Sequence, residues 1–114
     1  MPTILHITTQ AEWQTAQALG EYTDPSLETE GFIHCSTDKQ VATVANKHYQ
    51  GVTALLLLHI DKDKVVATVK WEAPSDDLLD ELFPHIYGPL NLDAVIEIEA
   101  LLPDSSGSFH YPTT

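Results

Sequence analysis

The apolar period of the chain changes several times, and each change marks an element. Residues 3–8, TILHIT, read as a short strand. Thr9 stands three before Glu12, the spacing of a capping box, and a helix is predicted over 11–19 with Trp13, Ala16 and Ala18 or Leu19 on its buried side and Gly20 at its end. Residues 21–31 carry no period, with Asp24, Pro25 and Ser26 as a turn. Residues 32–35, FIHC, form a second strand. Gln40 lies three after Thr37, so Ser36 or Thr37 is placed to cap a second helix, in which Val41, Val44, Ala45 and His48 keep helical spacing as far as Tyr49. Residues 53–60 are almost continuously apolar and of strand length, which predicts a central strand buried on both faces. After a turn at 61–64, residues 65–72 alternate. Val65, Ala67, Val69 and Trp71 share the packed face, and Val66, Thr68 and Lys70 the other.

An acidic connection at 73–82 has room for one helical turn. Two proline pairs, Phe83-Pro84 and Gly88-Pro89, bracket an extended piece that holds His85 and Tyr87. Residues 92–102 read as a last strand that sets Val95 against Glu97 and Glu99, followed by a turn at 103–107. No repeat or low-complexity segment is found. The order βα, βα and then several strands predicts one α+β domain over residues 1–114, with two early helices packed on a split mixed or antiparallel sheet.

Composition narrows the classes of function. A chain of 114 residues, 43% of them hydrophobic, is long enough to bury its own core. Seventeen acids against five lysines and no arginine give a net charge of −12. Such a surface repels a phosphate backbone or an anionic lipid, so neither nucleic acid nor a membrane is an expected partner. No apolar run approaches the roughly 20 residues of a membrane-spanning helix. The first residues lack the charged and apolar segments of a signal peptide, and a lone cysteine forms no internal disulfide, so the expected location is the cytoplasm.

Chemistry-bearing residues concentrate in three runs. EGFIHCST, residues 30–37, places His34, Cys35, Ser36 and Thr37 where a strand ends. LHIT, residues 5–8, adds His6 and Thr8, and FPHIYGPLN, residues 83–91, adds His85, Tyr87 and Gly88. Together His6, His34 and His85 are candidate proton shuttles or hydrogen-bonding groups in one cleft. The competing reading of each is an imidazole buried against backbone carbonyls. Cys35 follows His34 on a strand and faces the opposite side, which argues against a nucleophile beside that histidine. The three histidines with Glu72 or Cys35 could hold zinc, although no local ligand spacing signals a metal site. Ser36 and Thr37 at a helix start offer free N–H groups to an anion. Tyr87 can stack on a ligand ring beside Gly88, where backbone can come close. His48, His59 and His110 read as packed, surface or solvated residues.

The segments combine into a more specific pattern. LHIT is followed by Trp13, Ser26-Leu27 precedes EGFIHCST, and Gln40 precedes VANKHYQG. LLLLHID, Trp71-Glu72, FPHIYGPLNLDAV and then Gly107, Phe109 and Pro112 complete the series. In this order and spacing, over nearly the whole length, the chain resembles a family of bacterial and plant proteins known as domain of unknown function 952. Members of that family look like the ADP-ribosyltransferase fold, a split pair of small sheets with an NAD-binding cleft between them. The resemblance implies that His6 contacts the ribose, that His34, Cys35 and Ser36 stand where a nicotinamide pocket is lined, and that a glutamate on a later strand holds the ribose hydroxyl. Glu72, Glu97 and Glu99 are the candidates for that glutamate. The functional expectation is a cleft for NAD or an ADP-ribose-like nucleotide, with ADP-ribosyl transfer or hydrolysis. His6, His34, His85 and Glu72 would serve as its catalytic groups, and Thr8, Ser36, Thr37, Tyr87 and Gly88 as its binding groups. The alternatives are a non-catalytic binding or interaction module on the same fold and a metal-dependent enzyme built on the histidine cluster.

Overall fold

The computed structural model describes residues 3–73 and 82–111. Strand β1 (Thr3–Thr9) runs into helix α1 (Gln10–Leu19) through the capping box read from the sequence: Thr9 Oγ1 accepts the Glu12 N–H at 3.1 Å and the Glu12 carboxylate accepts the Thr9 N–H at 3.3 Å. Gly20 closes α1 in the left-handed conformation at φ 89°. Trp13 and Ala16 are buried as expected, but Ala18 and Leu19 are exposed.

The stretch 21–31, read as irregular, holds two short elements: β2 (Glu21–Tyr22) and α2 (Ser26–Thr29). Each depends on long-range or cap contacts, as β2 is formed by pairing with Leu90 and Asn91, and so neither carries a period of its own. β3 (Ile33–His34) follows, then α3 (Val41–His48). The expected start of α3 at Ser36 or Thr37 is corrected. Thr37 N–H donates to Gln40 Oε1 at 3.0 Å, and Gln40 and Val41 N–H both return to the Thr37 carbonyl. The polar residues fold into a turn ahead of the helix instead of capping it. Four strands complete the chain among the described residues beyond β4 (Leu55–Asp61): β5 (Thr68–Glu72), β6 (Phe83–Tyr87), β7 (Leu90–Asn91) and β8 (Val95–Leu101). The helical turn anticipated within 73–82 falls largely outside the described residues, as does Pro112.

These strands form three small sheets, ordered β1-β4-β8, β2-β7 and β3-β6-β5, in which every pairing is antiparallel. The sheet is divided as expected, into three parts, and of the mixed and antiparallel alternatives the described strands take the antiparallel one. β4 is central, as its apolar run predicted, and both of its faces are used. Leu58 and Ile60 join Ile4, Trp13, Tyr22, Ile33, Cys35, Ile86 and Leu90 in one core, and Leu55 and Leu57 join Leu5, Ile7, Val41, Ala45, Leu101 and Phe109 in the other. Alternation along β1 therefore sends His6 and Thr8 to the first core, because they share the face of Ile4.

Strict alternation cannot set Val95 against Glu97 and Glu99, since all three are odd-numbered. The fold achieves it with a register shift: Val95 pairs with Ile60 while Glu97 pairs with His59, so one extra residue turns Val95 toward the first core. Two sheets are tied together where Leu5 and Ser36 exchange both backbone hydrogen bonds at 2.7 Å. No helix among the described residues is long and apolar enough to cross a membrane.

Candidate functional site

The β3-β6-β5 sheet has an apolar side and a polar side. Ile33 and Ile86 pair across it and sit in the core with Val69 packed beside them. One residue further along, His34, His85 and Lys70 are directly opposite one another and share the other side. A slip of one residue would exchange the two sets, so burial of Ile33 and Ile86 is what turns these three polar side chains to the opposite face, where His34 and Lys70 are exposed and His85, only 4% exposed, lies under Phe32.

On that side Glu72 is the hub. Its Oε1 accepts from His85 Nδ1 at 2.9 Å and from the Tyr87 hydroxyl at 2.5 Å. The Tyr87 phenol, and after it the His85 imidazole, hold the Glu72 carboxyl below the usual glutamate range, and the same bond pushes the Tyr87 phenol up. A carboxylate can only accept, so His85 carries its proton on Nδ1 toward Glu72. Its Nε2 has no partner among the described residues. The Phe32 ring lies flat on His85, with centroids 4.0 Å apart and planes inclined by 16°, and meets His34 edge-on at 4.8 Å and Tyr87 at 5.3 Å. The His34 and His85 rings are 5.4 Å apart. Lys70 Nζ sits 4.9 Å from the centre of the Tyr87 ring. His34 is half exposed and pairs with Glu30 at 2.8 Å, an exposed ion pair of little energetic weight. This arrangement can take a proton from, or donate one to, a small ligand held against an aromatic wall.

A second polar network lies behind the sheet. His6 is only 4% exposed. Its Nδ1 donates to the His34 carbonyl at 2.5 Å, and its Nε2 is 2.8 Å from the Tyr22 hydroxyl. That hydroxyl is also 3.0 Å from Asp24 Oδ1 and 3.1 Å from Thr8 Oγ1, while Thr8 donates to Glu12 at 2.9 Å. Burial pushes the Tyr22 phenol well above its ordinary range. Asp24 is shifted the other way. Burial opposes its charge, but the nearby His6 ring and the hydrogen bond from Ser26 N–H outweigh that and hold its carboxyl below the usual range.

The expectation that the three histidine rings share one hollow is therefore corrected. His34 and His85 meet on the polar face. His6 is joined to them only through the backbone carbonyl of His34, with both of its nitrogens occupied. Thr8 belongs to the buried network as well. Ser36 is buried and committed to the Leu5 bridge. Because α3 opens at Val41, Ser36 and Thr37 are not at a helix terminus, and the free N–H groups expected there for an anion are not provided by a helix start. Gly88 adopts φ 153°, where a Cβ would stand 3.0 Å from Ala67 Cβ, so the packing of the chain itself demands glycine. Cys35 is buried in the first core, as strand alternation required, and burial pushes its thiol up, away from nucleophilic use. Among the described residues no group of three or more His, Cys, Asp and Glu could hold a metal ion, which removes support from the metal-enzyme alternative. Trp71 is 43% exposed at the sheet edge and not packed as expected. Of the other glutamates, Glu99 pairs with His59 at 2.6 Å on β4, away from the β3-β6-β5 face.

Phe32, Tyr22, Asp24 and Lys70 were not among the residues singled out from the sequence. For Phe32 a signal exists: it precedes His34 by two and must share its side of the strand. Tyr22 and Asp24 carry none, because their roles arise from β1 and β7 folding over them.

Comparison with known proteins agrees with this architecture. A crystal structure of protein CC0527 from Caulobacter crescentus, and one of a methionine-substituted double mutant of it, each match with a TM-score of 0.84 at 31% identity, covering 96% of this chain and 94% of the other. The solution NMR structure of CC0527 matches with a TM-score of 0.80 at 32% identity, covering 95% and 91%. No curated protein matches. The family model described as "Protein of unknown function (DUF952)" matches residues 7–98, which take in Glu72, His85 and Tyr87 and all of the buried network except His6, and the chain belongs to that family.

Proposed function

We propose that the polar face of the β3-β6-β5 sheet binds a small nucleotide of the ADP-ribose class, with NAD the first candidate, and that His85 moves a proton there. The observation that carries the reading is Glu72, held at once by His85 and Tyr87, with His85 Nε2 left unpartnered against Phe32. A carboxylate on Nδ1 fixes the imidazole tautomer and its ring orientation, and leaves Nε2 as the accepting nitrogen. Nε2 is then the atom that takes a proton from a ribose hydroxyl or a water molecule. Glu72 Oε2 has no partner among the described residues and is available to a sugar hydroxyl. Phe32 and Tyr87 supply ring faces for stacking. Lys70 and His34 are the groups at hand for a phosphate, in a chain without arginine. The resemblance to the ADP-ribosyltransferase fold that the sequence motifs imply is what suggests the choice of ligand. His6 departs from the role that likeness implies and, in this reading, works from behind the sheet.

The test is a thermal-shift series with NAD, ADP-ribose, adenosine and nicotinamide, followed by an assay for released nicotinamide. NAD or ADP-ribose should raise the midpoint, and Phe32→Ala and Glu72→Gln should abolish the rise. No rise with any of the four compounds at millimolar concentration would refute nucleotide binding. The second reading, a module that binds without chemistry, is favoured by one observation, the sealed position of His6. It predicts a midpoint shift with NAD and no nicotinamide release.

A further inference from the structure

Counting protons in the buried network leads to a positioning device behind the site. The His34 oxygen is a carbonyl and accepts only, so His6 Nδ1 carries a proton. The Tyr22 oxygen lies within hydrogen-bond distance of His6 Nε2, Asp24 Oδ1 and Thr8 Oγ1, and owns one proton to share. Thr8 directs its proton to Glu12. If His6 Nε2 were bare, the phenol could serve either the imidazole at 2.8 Å or the carboxylate at 3.0 Å. The other contact would then set lone pair against lone pair at the buried phenol oxygen. One additional proton relieves the two shortest contacts and leaves only the longer one to Thr8, at 3.1 Å, without a proton of its own. With Nε2–H donating to Tyr22 Oη, and Tyr22 O–H donating to Asp24, both short contacts become hydrogen bonds.

We infer that His6 is held as an imidazolium in the native protein, paired through Tyr22 with the Asp24 carboxylate, and that His6, Tyr22 and Asp24 together are positioning residues that fix the His34 carbonyl and so hold His34 beside His85. The surroundings agree. Asp24 Oδ1 is 3.7 Å from His6 Nε2, a supporting charge at short range. From α1 the facing group is Glu12, reached through Thr8. From β2 it is Tyr22, and beyond β3 it is the thiol of Cys35 in the same core. On the same side of β4 stand Leu56, Leu58 and Ile60, which bring no competing charge. Charge thus runs from Asp24 across Tyr22 to His6, and its far end grips the strand that carries His34. β3 has only two paired residues of its own, so the bond from His6 to the His34 carbonyl is a large share of what holds it in place.

The consequence for the site rests on the reading given above, but the protonation does not, so the two can fail separately. Imidazole nitrogen shifts of the 15N-labelled, ligand-free protein at pH 7 read it directly. Both ring nitrogens of His6 should show proton-bearing shifts. Asp24→Asn should weaken that double signature at the same pH while the protein stays folded, since Asp24 is partly exposed. Tyr22→Phe should abolish it and move the ring resonances of His34 and His85. A lone-pair shift at His6 Nε2 in the parent protein would overturn the protonation. Unmoved His34 and His85 rings in Tyr22→Phe, or in Asp24→Asn should the first variant not fold, would overturn the positioning role. Failure of NAD to bind would leave these shifts unchanged and would count only against the ligand.

Discussion

Replacing Tyr22 with phenylalanine removes one oxygen atom from a fully buried ring and leaves the ring's packing in the core intact. The deletion breaks contacts at 2.8, 3.0 and 3.1 Å to His6, Asp24 and Thr8. Two of these partners have a remedy. Thr8 keeps Glu12, and the Asp24 side chain is 21% exposed and can turn to water. His6 has none, because its side chain is only 5% exposed. The cost is therefore dominated by one stranded imidazole nitrogen, for which the penalty of an unsatisfied buried group is about 1–3 kcal/mol. An unfolding entropy of about 2.1 cal/mol/K per residue gives roughly 240 cal/mol/K for a chain of this length, so each kcal/mol lowers Tm by about 4 °C. The expected fall is about 4–12 °C, accompanied by a lower urea midpoint at unchanged slope. Pairing Tyr22→Phe with Asp24→Ala in a double-mutant cycle should show coupling, since both act on the same imidazole. A Tm within about 1 °C of the parent, or a higher one, would show that the phenol oxygen does not hold the network and would leave the positioning role of Tyr22 without a basis.

Other outcomes follow from particular residues. Ala54 is exposed and adopts φ 60°, a left-handed conformation costing a side-chain-bearing residue about 1–2 kcal/mol, against a glycine entropy cost of roughly 0.5–1 kcal/mol. Ala54→Gly should raise the urea midpoint by the equivalent of about 0.5–1 kcal/mol, and a fall would refute the strain. The Asp24 carboxyl titrates below its ordinary 3.8 in the folded state, so its contribution is fully present above that pH and is lost as pH falls below it. Asp24→Asn should therefore flatten the loss of stability in that acid window, measured by denaturation from about pH 5 downward; parallel curves for the two proteins would contradict the shift. Cys35, buried and with its thiol pushed up, should react with a disulfide reagent only as fast as the protein unfolds. Rapid labelling of native protein would show an opening of the first core.

Legibility in the sequence followed the range of the interactions. The capping box at Thr9 and Glu12, the two-faced burial of β4 and the inward Cys35 were all readable, because each is decided by neighbours within a few positions or by a two-residue period. The family resemblance was readable for the same reason, as a series of local motifs in order. What was misread depended on contacts from afar. Ser36 and Thr37 carry the side chains of a helix cap, yet Leu5 claims the backbone of Ser36 and delays the helix to Val41. β2 has no pattern of its own and exists through β7. Val95 takes its face from a bulge opposite His59 and Ile60.

The candidate site divides along the same line. Residue types alone marked His34, His85, Glu72 and Tyr87 as chemistry-bearing. Only the pairing of β3, β6 and β5 brought them to one face and added Phe32. Only the packing of β1 against Tyr22 turned His6 from an expected ligand contact into a buried support. Composition and local period determine which residues want burial or a cap. Which imidazole meets water is set by the path of strands dozens of residues away, because a hydrogen bond across a sheet leaves no trace in the spacing of the chain that makes it.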